Sequence, residues 1–242
     1  MVGDPLVARQ LMNTKTCVFL LMLSQPFLVR LEGAAFQNLD FESPRLPLVP
    51  IPGDQYGRVP ISSALPGWTG LIGTNEQSSV LYNNFFLGSS SIGLLGPGTG
   101  TIEGNYTLLL QAGVDINSGL PRSVTISQTG LVPADSQSLQ FKALGHLFDI
   151  GGPNPFVVTL GGQSVNLVPI SSSPQLYTLY AGDISSFAGT TATLEITALP
   201  FTTLGYTFSL DSITFSPIPE PSTWTISVIG WLLLGLGFWR RP

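Results

Sequence analysis

The sequence predicts an all-β body folded as a sandwich of two antiparallel sheets. Its apolar runs are short and are separated by Gly, Pro, Asn or Ser, which is typical of strands joined by turns. No helical pattern of useful length appears between residues 36 and 215. The chain has 27 Gly, 20 Pro and only 10% charged residues, yet its Leu, Ile, Val and Phe are abundant enough for one sizeable core.

Seven segments have the length and composition of strands, and their spacing of roughly ten to twenty residues suits a sandwich. The last of them alternates between apolar and polar residues with one step out of phase, which predicts a strand with a local irregularity. Residues 45–63 and 88–104 are rich in Pro, Gly or Ser and are predicted to be long loops. The seven predicted strands are 106–110, 124–128, 139–143, 156–160, 176–180, 193–197 and 208–215.

The body over residues 36–216 is acidic and lacks cysteine. It contains eleven acidic and four basic residues, which leaves a net charge of −7. We therefore do not expect the body to bind nucleic acid, because such binding needs clustered Lys and Arg. Cys17 is the chain's single cysteine and lies before the body, so no disulfide, thiolate metal site or cysteine nucleophile is expected in the body.

The N-terminal segment predicts a secretory signal peptide over residues 1–35. Lys15 precedes an apolar run that begins at Cys17, and Gly33-Ala34-Ala35 supplies small residues for a signal peptidase, with cleavage expected after Ala35. The run is too short for a comfortable membrane span. A buried first strand or helix is the alternative, and translation could start at Met1 or at Met12.

The C-terminal segment predicts one transmembrane helix over residues 224–239. Sixteen residues at about 1.5 Å each span roughly 24 Å, against a hydrocarbon core of about 30 Å. Trp224 and Trp239 would lie at the two interfaces with Trp231 between them, and Arg240 and Arg241 would stay in the cytoplasm. A last core strand is the alternative, but the stretch shows no period-2 alternation.

The order Pro219-Glu220-Pro221, apolar helix and terminal arginine pair resembles the PEP-CTERM sorting tail. The resemblance covers residues 217–242. It implies that Pro219, Glu220 and Pro221 are recognised by an exosortase, that the helix holds the chain in the membrane, and that the tail is removed. The protein would then be a substrate in a bacterium that makes extracellular polysaccharide, membrane-anchored before processing and afterwards at the cell surface or outside the cell.

The body resembles galactose-binding-like jelly rolls and related carbohydrate-binding modules, through the order of several short motifs. This resemblance implies that the two-sheet antiparallel sandwich is a jelly roll. The motifs are Asn38-Leu39-Asp40-Phe41-Glu42, Pro66-Gly67-Trp68, Ser127-Gln128-Thr129 with Gln140-Phe141-Lys142-Ala143, Ala188-Gly189-Thr190 with Leu194-Glu195-Ile196, and Leu210-Asp211-Ser212-Ile213.

The same resemblance implies a structural calcium ion where the first and last strands meet, with Glu42 and Asp211 as ligands. Calcium takes six to eight oxygen ligands, so backbone carbonyls would supply the others. The alternative is that both carboxylates only accept hydrogen bonds from backbone amides. For sugar stacking, Trp68 and Tyr82 are the candidate contacts, with Phe85 nearby; the alternative for Trp68 is a place in the core.

No catalytic constellation stands out. His146 is the single histidine, and neither a Gly-x-Ser-x-Gly elbow nor a phosphate-binding glycine motif occurs. We therefore expect a non-enzymatic exported protein of the cell surface or extracellular matrix, with a sandwich that contacts polysaccharide. A glycan-active or esterase-like secreted enzyme and a purely structural matrix protein are the alternatives.

Overall fold

The computed structural model describes residues 33–85, 89–115, 118–145, 156–173, 177–200 and 206–218. Within them lie fifteen strands, one α-helical turn, α1 (Ile61–Ala64), and one 3-10 turn (Ser185–Phe187). The strands are β1 (Arg58–Pro60), β2 (Thr69–Ile72), β3 (Asn75–Gln77), β4 (Ser79–Tyr82), β5 (Ser91–Leu95), β6 (Thr107–Val114), β7 (Pro121–Arg122), β8 (Val124–Leu131), β9 (Ser138–Gly145), β10 (Phe156–Leu160), β11 (Gln163–Ser164), β12 (Leu167–Ser173), β13 (Tyr177–Asp183), β14 (Thr191–Ala198) and β15 (Tyr206–Ser216).

The strands form two sheets, as the sequence predicts. The nine-stranded sheet has the order β1-β4-β5-β6-β15-β9-β13-β12, with β7 paired to β6, and the six-stranded sheet has the order β11-β10-β14-β8-β2-β3. Nearly all of these pairs are antiparallel, but β4 and β5 pair in parallel over two residues. The prediction of wholly antiparallel sheets is therefore corrected at this one pair.

All seven predicted strands are confirmed, and β10 has the predicted bounds. The prediction of a loop over residues 88–104 is wrong, because it contains β5, whose five residues are all buried. A strand buried on both faces shows no polar alternation, so its period is invisible in the sequence. Residues 45–63 are largely a loop, as predicted, but end in β1 and α1.

The predicted irregularity in the last strand is a β-bulge. Asp211 pairs with Lys142 and Thr214 pairs with Gln140, so two residues of β15 lie opposite one residue of β9. Ser212 lies in the bulge and has a φ of 52°, which few residues other than glycine adopt. The bulge is the point at which β15 changes which of its side chains face the core.

The core lies between the two sheets and is rich in aromatic side chains. The ring of Phe156 is 5.0 Å from Phe208 and 5.2 Å from Tyr180, while Tyr180 stacks on Phe141 at 5.6 Å. Phe156 belongs to the six-stranded sheet and the other three to the nine-stranded sheet. These rings therefore join the two layers by apolar burial, the main favourable contribution to folding.

The two ends of the described chain lie side by side. Ala34 accepts a hydrogen bond of 2.8 Å from the backbone N–H of Leu131, at the end of β8. The next residue but one, Phe36, places its ring 4.9 Å from Phe215, near the end of β15. The chain thus enters and leaves the sandwich at the same end.

In the part of the chain that the structure describes, no helix is long and apolar enough to cross a membrane. The expected transmembrane helix over residues 224–239 lies outside the described residues. So do the expected sorting motif, most of the expected signal peptide, and His146.

Candidate functional site

The segment 38–43 forms a tight turn beside the bulge of β15. Asn38 shapes the turn, because its carbonyl accepts from the N–H of Phe41 at 3.3 Å and its side chain accepts from the N–H of Ser43 at 2.9 Å. Ile213 in the bulge donates its N–H to the carbonyl of Leu39 at 3.0 Å. These bonds bring the first predicted ligand, Glu42, to the end of β6 at which loop 101–106 arrives.

Glu42 holds the second half of that loop. Its Oε1 accepts from the backbone N–H groups of Asn105 and Tyr106, each at 2.7 Å, and its Oε2 accepts from the side-chain amide of Asn105 at 3.2 Å. Gly104 has a φ of 60° and leaves no room for a Cβ beside the carboxylate. Glycine is thus required here both by the backbone and by the close approach of Glu42.

Asp211 holds the first half of the same loop. Its carboxyl is 1% exposed, and its Oδ2 accepts from the Thr107 hydroxyl at 2.5 Å and from the N–H of Glu103 at 3.2 Å. Its Oδ1 accepts from the N–H of Ser212 at 2.7 Å. The Thr107 hydroxyl in turn accepts from the N–H of Ile102 at 2.8 Å, so the loop is fixed at both ends.

Glu103, which donates its backbone N–H to Asp211, makes further polar contacts through its side chain. The Glu103 carboxylate accepts from Lys142 Nζ at 2.5 Å and also from the Ser212 hydroxyl. The hydrogen bonds from Lys142 and then Ser212 lower the pKa of Glu103 below its usual range. Lys142 also lies over the ring of Tyr177, 5.0 Å from its centroid, so the sole cation of this cluster is held in place on two sides.

The pKa of Asp211 is raised to about 6. Burial is the largest cause of this rise, and the negative charge of Glu103 adds to it. The hydrogen bonds from Thr107, Glu103 and Ser212 act in the opposite direction and lower the pKa. Asp211 is therefore a carboxyl group that gains a proton in mildly acidic solution.

The carboxylates of the two predicted calcium ligands are hydrogen-bonded within the protein. Each of their carboxylate oxygens already accepts a hydrogen bond, and the donors hold partial positive charge where a cation would have to lie. Among the described residues, no group of three His, Cys, Asp or Glu side chains could hold a metal ion. Bonding to backbone amides, the alternative weighed for this pair, is the arrangement that the structure has. We call Glu42 and Asp211 the carboxylate clamp.

Trp68 is a core residue rather than an exposed sugar contact. Its side chain is 5% exposed, and its ring lies 5.8 Å from that of the fully buried Phe41. Its indole N–H donates to the carbonyl of Asn38 at 2.9 Å, which satisfies its polar group inside the fold. The expectation that Trp68 stacks against a sugar is therefore corrected.

Tyr82, the second candidate sugar contact, ends strand β4, and its ring is partly buried against the core. The residue after it, Asn83, has a φ of 51° and accepts from the N–H of Gly96 at 2.6 Å and from the Thr99 hydroxyl at 3.2 Å. These bonds attach the turn after β5 to the end of β4. Tyr82 is therefore a half-buried residue at the end of a core strand.

Phe85 is the exposed aromatic residue of this region. Its side chain is 56% exposed, and it follows Asn84, whose side-chain amide donates to the carbonyl of Tyr56 at 2.9 Å. The Asn84 side chain also accepts from the N–H of Phe85 at 2.9 Å. The backbone of Phe85 is therefore held by Asn84, while the ring of Phe85 faces solvent.

Sequence reasoning found the clamp residues but not the loop that they hold. Asp211 or its hydrogen-bond partners are contacted by three residues that lie 69 to 108 positions before Asp211 in the sequence: Glu103, Thr107 and Lys142. Nothing in the local sequence of these three residues marks them. Comparison with protein-family models found no match, and comparison with curated proteins found no significant match. The site is therefore interpreted from its own chemistry.

We predict that Glu42→Ala destabilises the mature protein by about 2 kcal/mol, because charge-assisted hydrogen bonds to two backbone N–H groups are lost. For a chain of this size the melting temperature should fall by about 4–8 °C. Glu76→Ala on the exposed strand β3 is the matched control and should change it little. Millimolar calcium should leave the wild-type melting temperature unchanged. A calcium-dependent rise in the wild-type melting temperature that disappears in Glu42→Ala would contradict this expectation and support a calcium site.

We predict that Asp211→Asn changes the pH dependence of stability. The pKa of Asp211 is about 6 in the folded state, above its ordinary value of 3.8. The stability that this carboxyl group contributes in the wild type is therefore fully present below pH 3.8 and is lost as the pH rises through 6. The asparagine does not titrate, so the variant should gain about 2 kcal/mol relative to wild type between pH 4 and pH 7. Urea unfolding at both pH values measures this difference, and a constant difference would contradict it.

Proposed function

We propose that the chain is an exported bacterial protein of the cell surface or extracellular matrix, sorted through its C-terminal segment by an exosortase, with a sandwich that has no catalytic role. The observation that carries the proposal is the order of Pro219-Glu220-Pro221, an apolar stretch and two terminal arginines. The position of the fold's last strand supports it, since β15 ends at Ser216, immediately before the motif. Among the described residues, β15 is the last strand of the core.

A signal peptidase at the other end and the membrane around residues 224–239 complete the proposed route. The acidic, cysteine-free body suits a secreted protein that relies on its core for stability. The carboxylate clamp serves that stability, because its hydrogen bonds order loop 101–106. A catalytic role would need an activated nucleophile or a pair of acids in a cleft, and the clamp carboxylates are engaged in hydrogen bonds instead.

We predict that the protein isolated from its own cells has lost both ends. Mass spectrometry should show a chain that begins at Phe36 and ends near Pro221, because the signal peptidase and the exosortase each remove a segment. In Glu220→Ala the C-terminal segment should be retained, because the recognition motif is broken. A wild-type mass that includes Trp224 to Pro242 would contradict tail processing and leave a plain membrane anchor.

We propose further that the body contacts extracellular polysaccharide, and that Phe85 takes the stacking role expected of Trp68. Phe85 is exposed on a backbone held by Asn84, whereas Trp68 is enclosed. Aromatic faces bind sugars by burying apolar area, so the exposed ring is the one that can act.

We predict that a glycan array with the mature protein gives a signal that Phe85→Ala reduces at least tenfold without changing the melting temperature. Exposed Leu120→Ala is the matched control and should keep the signal. Trp68→Ala should instead unfold the protein, at a cost of about 3–5 kcal/mol. A stable Phe85→Ala with full glycan binding would remove Phe85 from the proposal, and an empty array would favour the purely structural matrix role.

A further inference from the structure

Ile218 is the last described residue and directly precedes the proposed sorting motif. Its carbonyl accepts from the Ser138 hydroxyl at 2.6 Å, and its N–H donates to the Ser216 hydroxyl at 3.1 Å. Ser216 is itself held, because its carbonyl accepts from the N–H of Gln137 at 2.8 Å. No spacer therefore separates the folded body from Pro219.

The loops around Ile218 form one continuous surface. Gln137 accepts from the N–H of Ile184 at 3.0 Å, and Val132 accepts from the N–H of Gly189 at 3.1 Å, so loops 132–137 and 184–190 lie together. Phe36, the expected first residue of the mature chain, lies beside Phe215 near the end of β15. We call residue 36 and residues 132–137, 184–190 and 217–218 the exit face.

The length of chain beyond Ile218 limits how far the exit face can lie from a bilayer. Six residues lead from Ile218 to Trp224, and even fully extended they reach about 21 Å. The headgroup layer occupies about 5–8 Å of that distance. The remaining gap of about 15 Å is little more than the 10–12 Å diameter of one helix. An enzyme that grips the motif inside this gap has to touch the body.

The charge of the exit face favours a protein partner over lipid. Its four parts contain Asp135 and no lysine or arginine, and Asp183 lies directly before one of them. Both aspartates are exposed. Anionic headgroups attract basic residues and repel acidic ones, so this face gains nothing from a bilayer surface. Ile218, 67% exposed, adds an apolar contact at its edge.

We infer that the exit face is the surface on which the membrane-embedded processing enzyme seats this substrate while it recognises Pro219-Glu220-Pro221. The inference rests on the proposed sorting function. The enzyme contacts the exit face and the motif together, since no spacer residues separate Ile218 from Pro219.

Single-cysteine cross-linking of the full-length precursor in enzyme-producing cells tests this contact. On a shared Cys17→Ser background, Asp135→Cys and Ser186→Cys place a maleimide-linked benzophenone on the exit face. The matched control is Leu199→Cys, which is 38% exposed and follows β14 at the opposite end of the sandwich. Cross-links to the processing enzyme, identified by mass spectrometry, should be at least tenfold stronger from the exit face.

A spacer variant provides the second arm. Twelve Gly and Ser residues inserted between Ile218 and Pro219 add about 19 Å of root-mean-square length, so the body can move away from the enzyme. Exit-face cross-links should fall at least tenfold, to the level of Leu199→Cys, while the tail is still removed.

Three outcomes would overturn the inference. Equal cross-linking from both ends, or cross-links from the exit face to lipid alone while the tail is removed, would show that the enzyme does not seat there. Exit-face cross-links that remain as strong in the spacer variant would show that the enzyme binds this face wherever the motif lies. Retention of the tail in every variant, with no enzyme cross-links, would instead refute the sorting function, and the mature mass distinguishes this case.

Discussion

The pairing of β15 with strands on both of its sides is the constraint on which the nine-stranded sheet depends. Along its first half β15 pairs with β6, and along most of its length it pairs with β9. Without it, strands β1, β4, β5 and β6 would be separated from β9, β13 and β12. The carboxylate clamp belongs to the same constraint, because Asp211 is a residue of β15 and its bonds fix the loop through which the chain reaches β6.

The sequence was informative wherever a strand has one face in the core and one outside. Strands β8, β10 and β14 alternate between buried and more exposed residues, and all three were predicted. Strand β5 was missed because both of its faces are buried, and β3, β7 and β11 are only two or three residues long, too short to show a period. The bulge in β15 was predictable because it shifts the apolar pattern by one residue.

The candidate site was less predictable, for a different physical reason. Family resemblance singled out Glu42 and Asp211, but their hydrogen-bond partners lie more than sixty residues away in the chain. Whether a carboxylate meets a metal ion or backbone N–H groups depends on such distant partners. Trp68 illustrates the same limit, because an indole ring suits a sugar or a core equally well until the position of its neighbour Phe41 is known.

The attachment of the tail to a central strand also has a mechanical consequence. If the body is held from its C-terminal end, a pulling force enters at Ile218 and runs along β15. Hydrogen bonds of a sheet lie perpendicular to its strands, so such a force loads the bonds to β6 and β9 simultaneously, in shear. An edge strand pulled outward would give way one bond at a time. A body held in this way would carry the load through a central strand rather than through an edge strand.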